Sequence, residues 1–313
     1  MIRVGLIGAR GYVGRELIAA LDEDSDVELV FASSRAMAGK RLSAMPQLAG
    51  LTRFGALEAE ELGPEEAAAR EADAVILGLP NGLAKPYVDA IGRRNPECCI
   101  VDLSADYRHQ EGWVYGAPEL NETTIRNARR IANPGCYATA ANLALLPLRG
   151  LTEGPVQVFG VSGFSGAGTT PGPRNDPERL EANIIPYGFG GHGHEGEIAG
   201  ATGLEVVFAP HVGGFFRGLM VTVMARLSAP ATGEAMRKRF EGFYRDAPLV
   251  SVGSDLPDLK DAAGQDGCLI GGFALSHGGR QLTFSSALDN LRKGAATQAM
   301  ENLRLAFGFG ENG

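Results

Sequence analysis

The stretch Asn133-Pro134-Gly135-Cys136-Tyr137-Ala138-Thr139 sets a cysteine directly after a Pro-Gly turn and directly before an Ala-rich helical run, Ala138 to Leu148. A thiol at a helix start faces unpaired backbone N–H groups and the positive end of the helix dipole, and both favour the thiolate. Such a thiolate attacks acyl groups, and the backbone donors beside it stabilise the oxyanion that forms. A small cysteine packed behind a turn has the same local sequence, so the motif alone leaves both readings open.

A second chemical signal opens the chain. Ile2 to Ile7 reads as a strand, Gly8-Ala9-Arg10-Gly11-Tyr12-Val13-Gly14 as a glycine-rich turn, and Glu16 to Leu21 as a helix. That order predicts a dinucleotide site, with the glycines letting backbone N–H groups approach a pyrophosphate at the helix start. The spacing is G-x-x-G-x-x-G rather than G-x-G-x-x-G, and the position after a strand gives it weight. The next strand, Val27 to Ala32, ends in Ser33-Ser34-Arg35 with no carboxylate. Asp or Glu there accepts from the ribose 2′-hydroxyl of NAD, whereas a hydroxyl and a guanidinium suit a 2′-phosphate. The expected cofactor is therefore NADP(H), held by Gly8, Arg10, Gly11, Tyr12, Val13 and Gly14, with Ser33 and Arg35 at the adenosine phosphate.

The elements that must carry these groups fall into two textures. Up to residue 135, strands alternate with helices. Ala74 to Leu79 and Ile100 to Leu103 read as further strands, and the acidic, Ala-rich stretch Leu57 to Ala72 reads as a solvated helical face. This is a parallel sheet with functional loops at its carboxyl ends: Gly8, Ser33, Pro80 and Ser104 each follow a strand. After Cys136, Val156 to Ser162 and Leu219 to Leu227 alternate like strands, and Glu234 to Tyr244 reads as an amphipathic helix. Leu269 to Ser276 and Gln281 to Ala287 flank Gly278-Gly279, a two-residue hairpin signal. Leu291 to Phe307 returns to a helical pattern. The expected fold is a Rossmann-type α/β domain, residues 1–135 and 289–313, plus a catalytic and dimerisation α+β domain with a mostly antiparallel sheet, residues 136–288.

Composition limits the function classes. The chain has 313 residues, 44% hydrophobic and 21% charged, with a net charge of −8. No dense basic run is present, which argues against nucleic acid as a partner. No run approaches the roughly 18 apolar residues that span a membrane, and no targeting segment is recognisable. Glycine is abundant, 44 residues, without a collagen period, so it marks turns and close approaches of backbone to ligand. Cys98, Cys99 and Cys268 lie at strand starts and read as core, and a reducing cytoplasm fits. Of five histidines, His277 falls in the hairpin and His109 in a polar loop. His192-Gly193-His194-Glu195 lacks the further ligands a metal site needs, so no metal is expected.

The order of these motifs resembles the glyceraldehyde-3-phosphate and aspartate-semialdehyde dehydrogenase superfamily, and locally the N-acetyl-gamma-glutamyl-phosphate reductase family of arginine biosynthesis. The similar stretches are Gly8 to Leu17, Val101 to Arg108, Tyr115 to Leu120, Ala132 to Thr139, Ser162 to Gly168, His192 to Ile198, Pro210-His211, Arg217-Gly218 and Asp289 to Gln298. Gly193, Gly196 and Ala117 depart from the family pattern. The resemblance implies reduction of an acyl phosphate to an aldehyde through a Cys136 thioester, with His192 moving the proton and His194 positioning. It also implies His211 as a substrate contact and Asn290 and Lys293 as cofactor contacts. For the phosphate, Arg108, in the loop after a parallel strand, is the first candidate and Arg217 the second. Ser165 and Gly166 lie in a Gly/Ser loop that admits substrate and nicotinamide. A homodimer or homotetramer is expected. Relatives acting on an aminoadipyl phosphate in lysine biosynthesis share nearly all these motifs, and a non-catalytic nucleotide-sensing protein of the same fold remains the alternative of another class.

Overall fold

The computed structural model describes residues 1–309. The chain divides into two compact units: residues 1–134 with the chain from Ala295 onward, and residues 135–294.

The first unit contains β1 (Ile2–Ile7), α1 (Tyr12–Glu23), β2 (Val27–Ser33), α2 (Pro64–Ala69), β3 (Ala74–Leu77), α3 (Lys85–Arg94), β4 (Cys99–Asp102), β5 (Val114–Tyr115), α4 (Pro118–Ile125) and β6 (Arg130–Ala132). Its six strands run in the order β2-β1-β3-β4-β6-β5, and every pairing is parallel. β3 and β4 are buried at every position, as a sheet covered on both faces requires. One face packs α1 through Leu17, Ile18 and Leu21 together with the chain's last helix, Thr297–Ala306, through Met300, Leu303 and Ala306. The other packs α2 and α3 through Ala67, Ala68, Ala90 and Ile91.

Two sequence expectations change here. The stretch Leu57 to Ala72 is helical only over Pro64–Ala69. Glu58 and Glu60 instead bridge to Arg41 and Ser33 as extended chain, and Ala59, Leu62, Ala67 and Ala68 are buried. The acidic side chains disguise a segment whose apolar residues fill the core. Strand β3 stops at Leu77, since Gly78 and the residues after it form the loop that leads to α3.

The second unit contains α5 (Cys136–Leu145), β7 (Val156–Gly163), α6 (Pro177–Leu180), β8 (Ile184–Pro186), α7 (Gly193–Thr202), β9 (Val206–Gly213), β10 (Leu219–Arg226), α8 (Gly233–Phe243), β11 (Val250–Val252), α9 (Leu259–Ala262), β12 (Cys268–Ser276) and β13 (Gln281–Leu288). The sheet order is β11-β12-β13-β10-β7-β9-β8. The β11–β12 and β7–β9 pairs are parallel and the others antiparallel. Alternation along the strands puts Val156 and Val158, Val206 and Phe208, and Leu219, Val221 and Val223 on one face. The buried helix α5, through Tyr137, Ala138, Ala141, Leu143 and Leu145, and Met236 and Phe240 of α8 cover that face. The β12–β13 connection is longer than the two-residue turn expected. Ser276 pairs with Gln281, leaving 277–280 as the loop, and His277, Gly278 and Gly279 all take positive φ, 50, 68 and 82°.

Residues 289–294, expected in the first domain, pack with the second unit, because Asp289 and Asn290 are bonded into it, as described below. The helix expected over Leu291 to Phe307 resolves into a π-helical turn, Arg292–Ala296, followed by α10, the helix Thr297–Ala306. Residues 310–313, the end of the expected first domain, lie outside the described residues.

Candidate active site

In the first unit the glycine turn joins β1 to α1. Gly8 has φ 97°, and a Cβ there would lie 2.2 Å from the Gly78 carbonyl oxygen; at Gly14 a Cβ would lie 2.3 Å from the Gly8 oxygen. These two glycines are dictated by the fold itself. Gly11 is different: a Cβ there would meet only the Gly8 oxygen, at 3.4 Å. No close contact within the chain demands glycine at this N-cap, and its bareness leaves the helix end open to a ligand. No side chain caps α1 and no acidic residue occupies its first turn. The residues present therefore fit a dinucleotide pyrophosphate. The Ser33 carbonyl pins the turn by accepting from Gly8 and Ala9 N–H, each at 3.0 Å. The Ser33 hydroxyl is buried and accepts from Leu62 N–H at 3.2 Å. Arg35 is solvent-exposed and pairs with Glu61 at 3.1 Å, a surface pair worth roughly 0–1 kcal/mol and readily exchanged for a phosphate. Arg10 and Pro80 are exposed, Tyr12 has the Arg15 guanidinium 5.5 Å above its ring, and Val13 packs against the core.

Also in this unit, the loop after β4 is built from carboxylates. Asp102 is buried, accepts from the Ser104 hydroxyl at 2.6 Å, and is pushed above its ordinary pKa by burial. Asp106 accepts from Gly82 N–H at 2.7 Å, joining this loop to the one after β3. Arg108 follows, its Nε donating to the Asn133 carbonyl at 3.0 Å and its Nη2 to Leu103 at 3.1 Å. These bonds fix the plane of the guanidinium at the carboxyl end of the sheet.

In the second unit Cys136 is the first residue of α5, after Gly135 as N-cap with φ −73° and ψ 150°. No side chain caps this end and no acid lies in the first turn. The first intrahelical bond is Thr139 N–H to the Gly135 carbonyl, 2.8 Å. Cys136 is partly exposed while Cys98, Cys99 and Cys268 are buried. Burial pushes the Cys98 thiol up to about 11 and the Cys99 thiol up to about 12, so neither ionises near neutrality. Two close contacts seat Cys136. Gly135 N–H donates to buried Glu197 of α7 at 2.9 Å, and Gly294 comes so close that a Cβ on it would lie 2.7 Å from Cys136 Cβ. Tyr137, next in sequence, lies over Gly160 of β7, where a Cβ would lie 2.5 Å from its ring, and its hydroxyl donates to the His211 carbonyl.

His192 caps α7, its Nδ1 accepting from His194 N–H at 3.2 Å. Its ring sits 6.5 Å from that of Tyr137, 5.4 Å from Tyr187, 5.5 Å from Phe208 and 4.7 Å from His194. Burial, and then the charge of Arg174, lower its pKa, with Glu195 opposing them. The lowered pKa keeps the imidazole in its neutral form at neutral pH, with Nδ1 accepting from His194 N–H. Tyr187 is pushed up to about 12, chiefly by burial and next by the electrostatic effect of Cys136. Its hydroxyl stays a neutral donor.

The other expected residues are placed less uniformly. His194 stays with His192. Ser165 and Asn290 meet each other: Asn290 Nδ2 donates to the Ser165 hydroxyl at 2.8 Å, and its Oδ1 accepts from Gly218 N–H at 2.8 Å. Gly166 lies beside them. These residues hold the 162–168 loop in shape. Lys293 is fully buried, in the π turn one residue before Gly294. Two assignments are corrected. Arg217, the second phosphate candidate, forks onto fully buried Asp289 at 2.6 and 3.1 Å, and neutralising that carboxylate is its structural task. The His211 side chain, expected at the substrate, belongs to the opposite face of the sheet, because β9 alternates and Phe208 already points inward. It lies there against Phe159 and Phe189, with ring centroids at 4.4 and 5.7 Å and the rings tilted.

Sequence reasoning passed over three residues. Glu197 stands inside a motif that was recognised, but its bond to Gly135 is 62 positions away in sequence. Tyr187 follows the short edge strand β8, whose pairing alone brings it to His192. Arg174 sits in a Pro-Gly-Pro-Arg-Asn loop that reads as a plain turn. Among the described residues no group of three or more His, Cys, Asp or Glu is arranged to hold a metal, and no helix is long and apolar enough to cross a membrane.

A parallel-sheet nucleotide unit followed by a mixed-sheet unit opening on a helix-start cysteine defines the class of semialdehyde dehydrogenases. Family models agree: residues 3–128 match the semialdehyde dehydrogenase NAD binding domain and residues 136–290 the semialdehyde dehydrogenase dimerisation domain. Aspartate semialdehyde dehydrogenase II from Vibrio cholerae, complexed with ASA, superposes with a TM-score of 0.78 at 19% identity, over 97% of this chain and 98% of that one. The Candida albicans enzyme with NADP gives a TM-score of 0.76 at 16% identity, over 99% of each chain. The N-acetyl-gamma-glutamyl-phosphate reductase of Xanthomonas campestris pv. campestris (strain 8004) is 46% identical over 308 residues, covering 98% of this chain and 96% of that protein. The chain belongs to the N-acetyl-gamma-glutamyl-phosphate reductase family.

Proposed function

We propose that the protein reduces N-acetyl-gamma-glutamyl phosphate to N-acetylglutamate semialdehyde and phosphate, using NADPH, in arginine biosynthesis. The observation that carries this is the seat of Cys136: an uncapped helix start, a neutral imidazole in the same unit, and Glu197 fixing the residue before it. His192 takes the thiol proton. The Cys136 thiolate attacks the acyl carbon, the C–S bond forms, and the C–O bond to phosphate breaks with its electron pair leaving on the phosphate, which carries the proton away. Backbone N–H groups at the start of α5 hold the oxyanion. NADPH, when bound, supplies a hydride to the thioester carbon. The tetrahedral adduct on Cys136 collapses, the C–S bond breaks with its electron pair returning to sulfur, the aldehyde is released and the thiolate is regenerated.

Gly8, Arg10, Gly11, Tyr12, Val13 and Gly14 hold the pyrophosphate, and Ser33 and Arg35 the adenosine phosphate. Pro80 lines the adjoining strand end, and Arg108 clamps the substrate phosphate. Ser165, Gly166, Asn290 and Lys293 shape the nicotinamide end. A second copy of the chain is the partner we assign to the outer face of the second sheet, where Phe159, Val207, Ile184 and Phe189 are 39, 52, 55 and 61% exposed. Apolar groups of that size in one area ask for cover, and the matched model is that of a dimerisation domain. A reducing compartment, the cytoplasm, suits a free catalytic thiol.

The test is the reverse reaction: purified protein, NADP and inorganic phosphate, with N-acetylglutamate semialdehyde or its one-carbon-longer aminoadipate analogue. Phosphate-dependent NADPH formation with the shorter aldehyde is expected. Turnover of the longer one alone moves the assignment to aminoadipyl phosphate, and absence of both overturns it.

A further inference from the structure

An acyl phosphate of an N-acylated amino dicarboxylic acid carries two anionic groups. One is the phosphate, which leaves; the other is the carboxylate, which stays with the product. Arg217 in the second unit is committed to Asp289, so its charge is not available to either. Arg174 is the remaining cation of that unit within electrostatic reach of the reacting imidazole. Its guanidinium lies 4.8 Å from the centre of the Tyr187 ring, whose hydroxyl adjoins Tyr137 and lies within electrostatic reach of Cys136. Among the described residues no carboxylate pairs with it.

The loop that presents Arg174 is built rather than loose. Asn175 Oδ1 accepts from Gly172 N–H at 2.7 Å, and its Nδ2 donates to the carbonyls of Gly168 and Thr170 at 3.0 and 2.8 Å. One side chain thus ties together the segment between the Gly/Ser loop and α6. Asp176 then caps α6, accepting from Glu178 N–H at 3.0 Å. An arginine presented by a clamped turn, solvent-exposed, lying over an aromatic ring and lacking a carboxylate partner, can receive a planar anion through two parallel N–H donors.

We propose that Arg174 binds the substrate carboxylate that remains after phosphate departs, and so selects acyl phosphates carrying a second anion at a fixed distance from the reacting carbon. This rests on the reading of the activity given above. The electrostatic contribution is to binding and orientation, not to bond making, so it acts equally on the acyl phosphate and on the aldehyde.

The experiment compares two aldehydes in the reverse assay: N-acetylglutamate semialdehyde, and 4-acetamidobutanal, the same chain with hydrogen in place of the carboxylate. Wild type should favour the first strongly. Arg174→Met should lower kcat/KM for it by roughly 10–100-fold, the scale of a lost charged hydrogen bond, mostly through KM, and lower that for 4-acetamidobutanal by less than about threefold on the same scale. Arg174→Lys, which keeps the charge without the fork, should fall between. The KM for phosphate should hold in all three proteins. If Arg174→Met depresses both aldehydes equally, Arg174 only supports Tyr187 or tunes His192, and the assignment is wrong. A rise confined to the phosphate KM would make Arg174 part of the phosphate site instead, which also overturns it. A wild-type protein inactive on both aldehydes overturns the proposed activity itself, an outcome distinct from a loss of selectivity in an active enzyme.

Discussion

Two helix starts in this chain are nearly the same object locally. α1 and α5 each begin after a glycine N-cap in extended conformation, Gly11 at φ −57° and ψ 160° and Gly135 at φ −73° and ψ 150°. Neither has a side-chain cap or an acid in its first turn. Each therefore presents bare N–H groups and about half a positive charge to whatever lies in front. What separates them is the surroundings. The amide before α5 is taken by Glu197 and the helix is buried from Tyr137 to Leu145, sunk into its unit. α1 is amphipathic, buried through Leu17, Ile18 and Leu21, and its N-cap is open enough that even a Cβ would fit. The first device holds a covalently attached atom of the chain itself in one place. The second leaves room for a diffusible diphosphate. A helix dipole favours an anion in front of both, and on the mechanism proposed above packing decides whether that anion is the Cys136 thiolate or a ligand.

The largest effect should come from removing the atom that distinguishes α5. Cys136→Ser should lower reduction by roughly 10⁴-fold or more, since a nucleophile is not replaced by the rest of its machinery. NADPH binding, followed by nucleotide fluorescence, should be almost unchanged, because that site belongs to α1. Turnover near the wild-type rate would remove the covalent mechanism.

Next comes the imidazole. His192→Asn should cut turnover by roughly 10²–10⁴-fold and His194→Asn by less. The pH profile carries the sign. His192 has its pKa lowered by burial and by Arg174, so its basic form persists below the range of a free histidine. The acidic limb of kcat/KM should accordingly lie below pH ~6.5, the unperturbed value, and Arg174→Met should move it upward. An acidic limb above that of free imidazole would assign the proton transfer to another group.

The glycines of α1 divide the comparison further. Gly14→Ala forces a Cβ to 2.3 Å from the Gly8 carbonyl and should destabilise the unit by roughly 1–3 kcal/mol through overpacking, lowering the melting temperature. Gly11→Ala should leave the melting temperature nearly intact and raise the KM for NADPH instead. Equal melting shifts in the two variants would show that Gly11 too is needed by the chain rather than by the ligand.

The two helix starts were legible in the sequence because each is local: a strand, a glycine turn and a helix within 23 residues, or Pro-Gly-Cys before an alanine run. The parallel and mixed sheets were legible for the same reason, through runs and alternation. What escaped depends on partners distant in sequence. Arg217 reads as a free cation until Asp289, 72 positions on, folds against it. The face to which His211 belongs is decided by the register of β9 against β7, where Phe208 pairs with Val158, and a one-residue shift would reverse it. Arg174 acquires meaning only when β8 brings Tyr187 beneath it. The acidic stretch before β3 misled because charge marks a surface while its alanines and leucine, spaced between the charges, enter the core.

The smallest effect is expected at the edge of the α1 site. Arg35 is exposed, with its side chain 89% accessible and its ionic partner among the described residues, Glu61, 60% accessible, so in the free protein this pair contributes little. A 2′-phosphate offers the guanidinium a doubly charged, bidentate partner in place of one carboxylate. Arg35→Ala should therefore raise the KM for NADPH by roughly 10-fold, the scale of one charge-assisted bond at an exposed site, with little change in kcat, in the KM for NADH or in the melting temperature. Ser33→Ala should act in the same direction but with a stability cost, since the Ser33 hydroxyl is buried and accepts from Leu62 N–H. The two variants separate a group that touches only the ligand from one that also closes the turn. Should Arg35→Ala weaken NADPH and NADH alike, the guanidinium acts on the adenosine in general, and discrimination between the cofactors must come from Ser33 and the absence of a carboxylate at the end of β2.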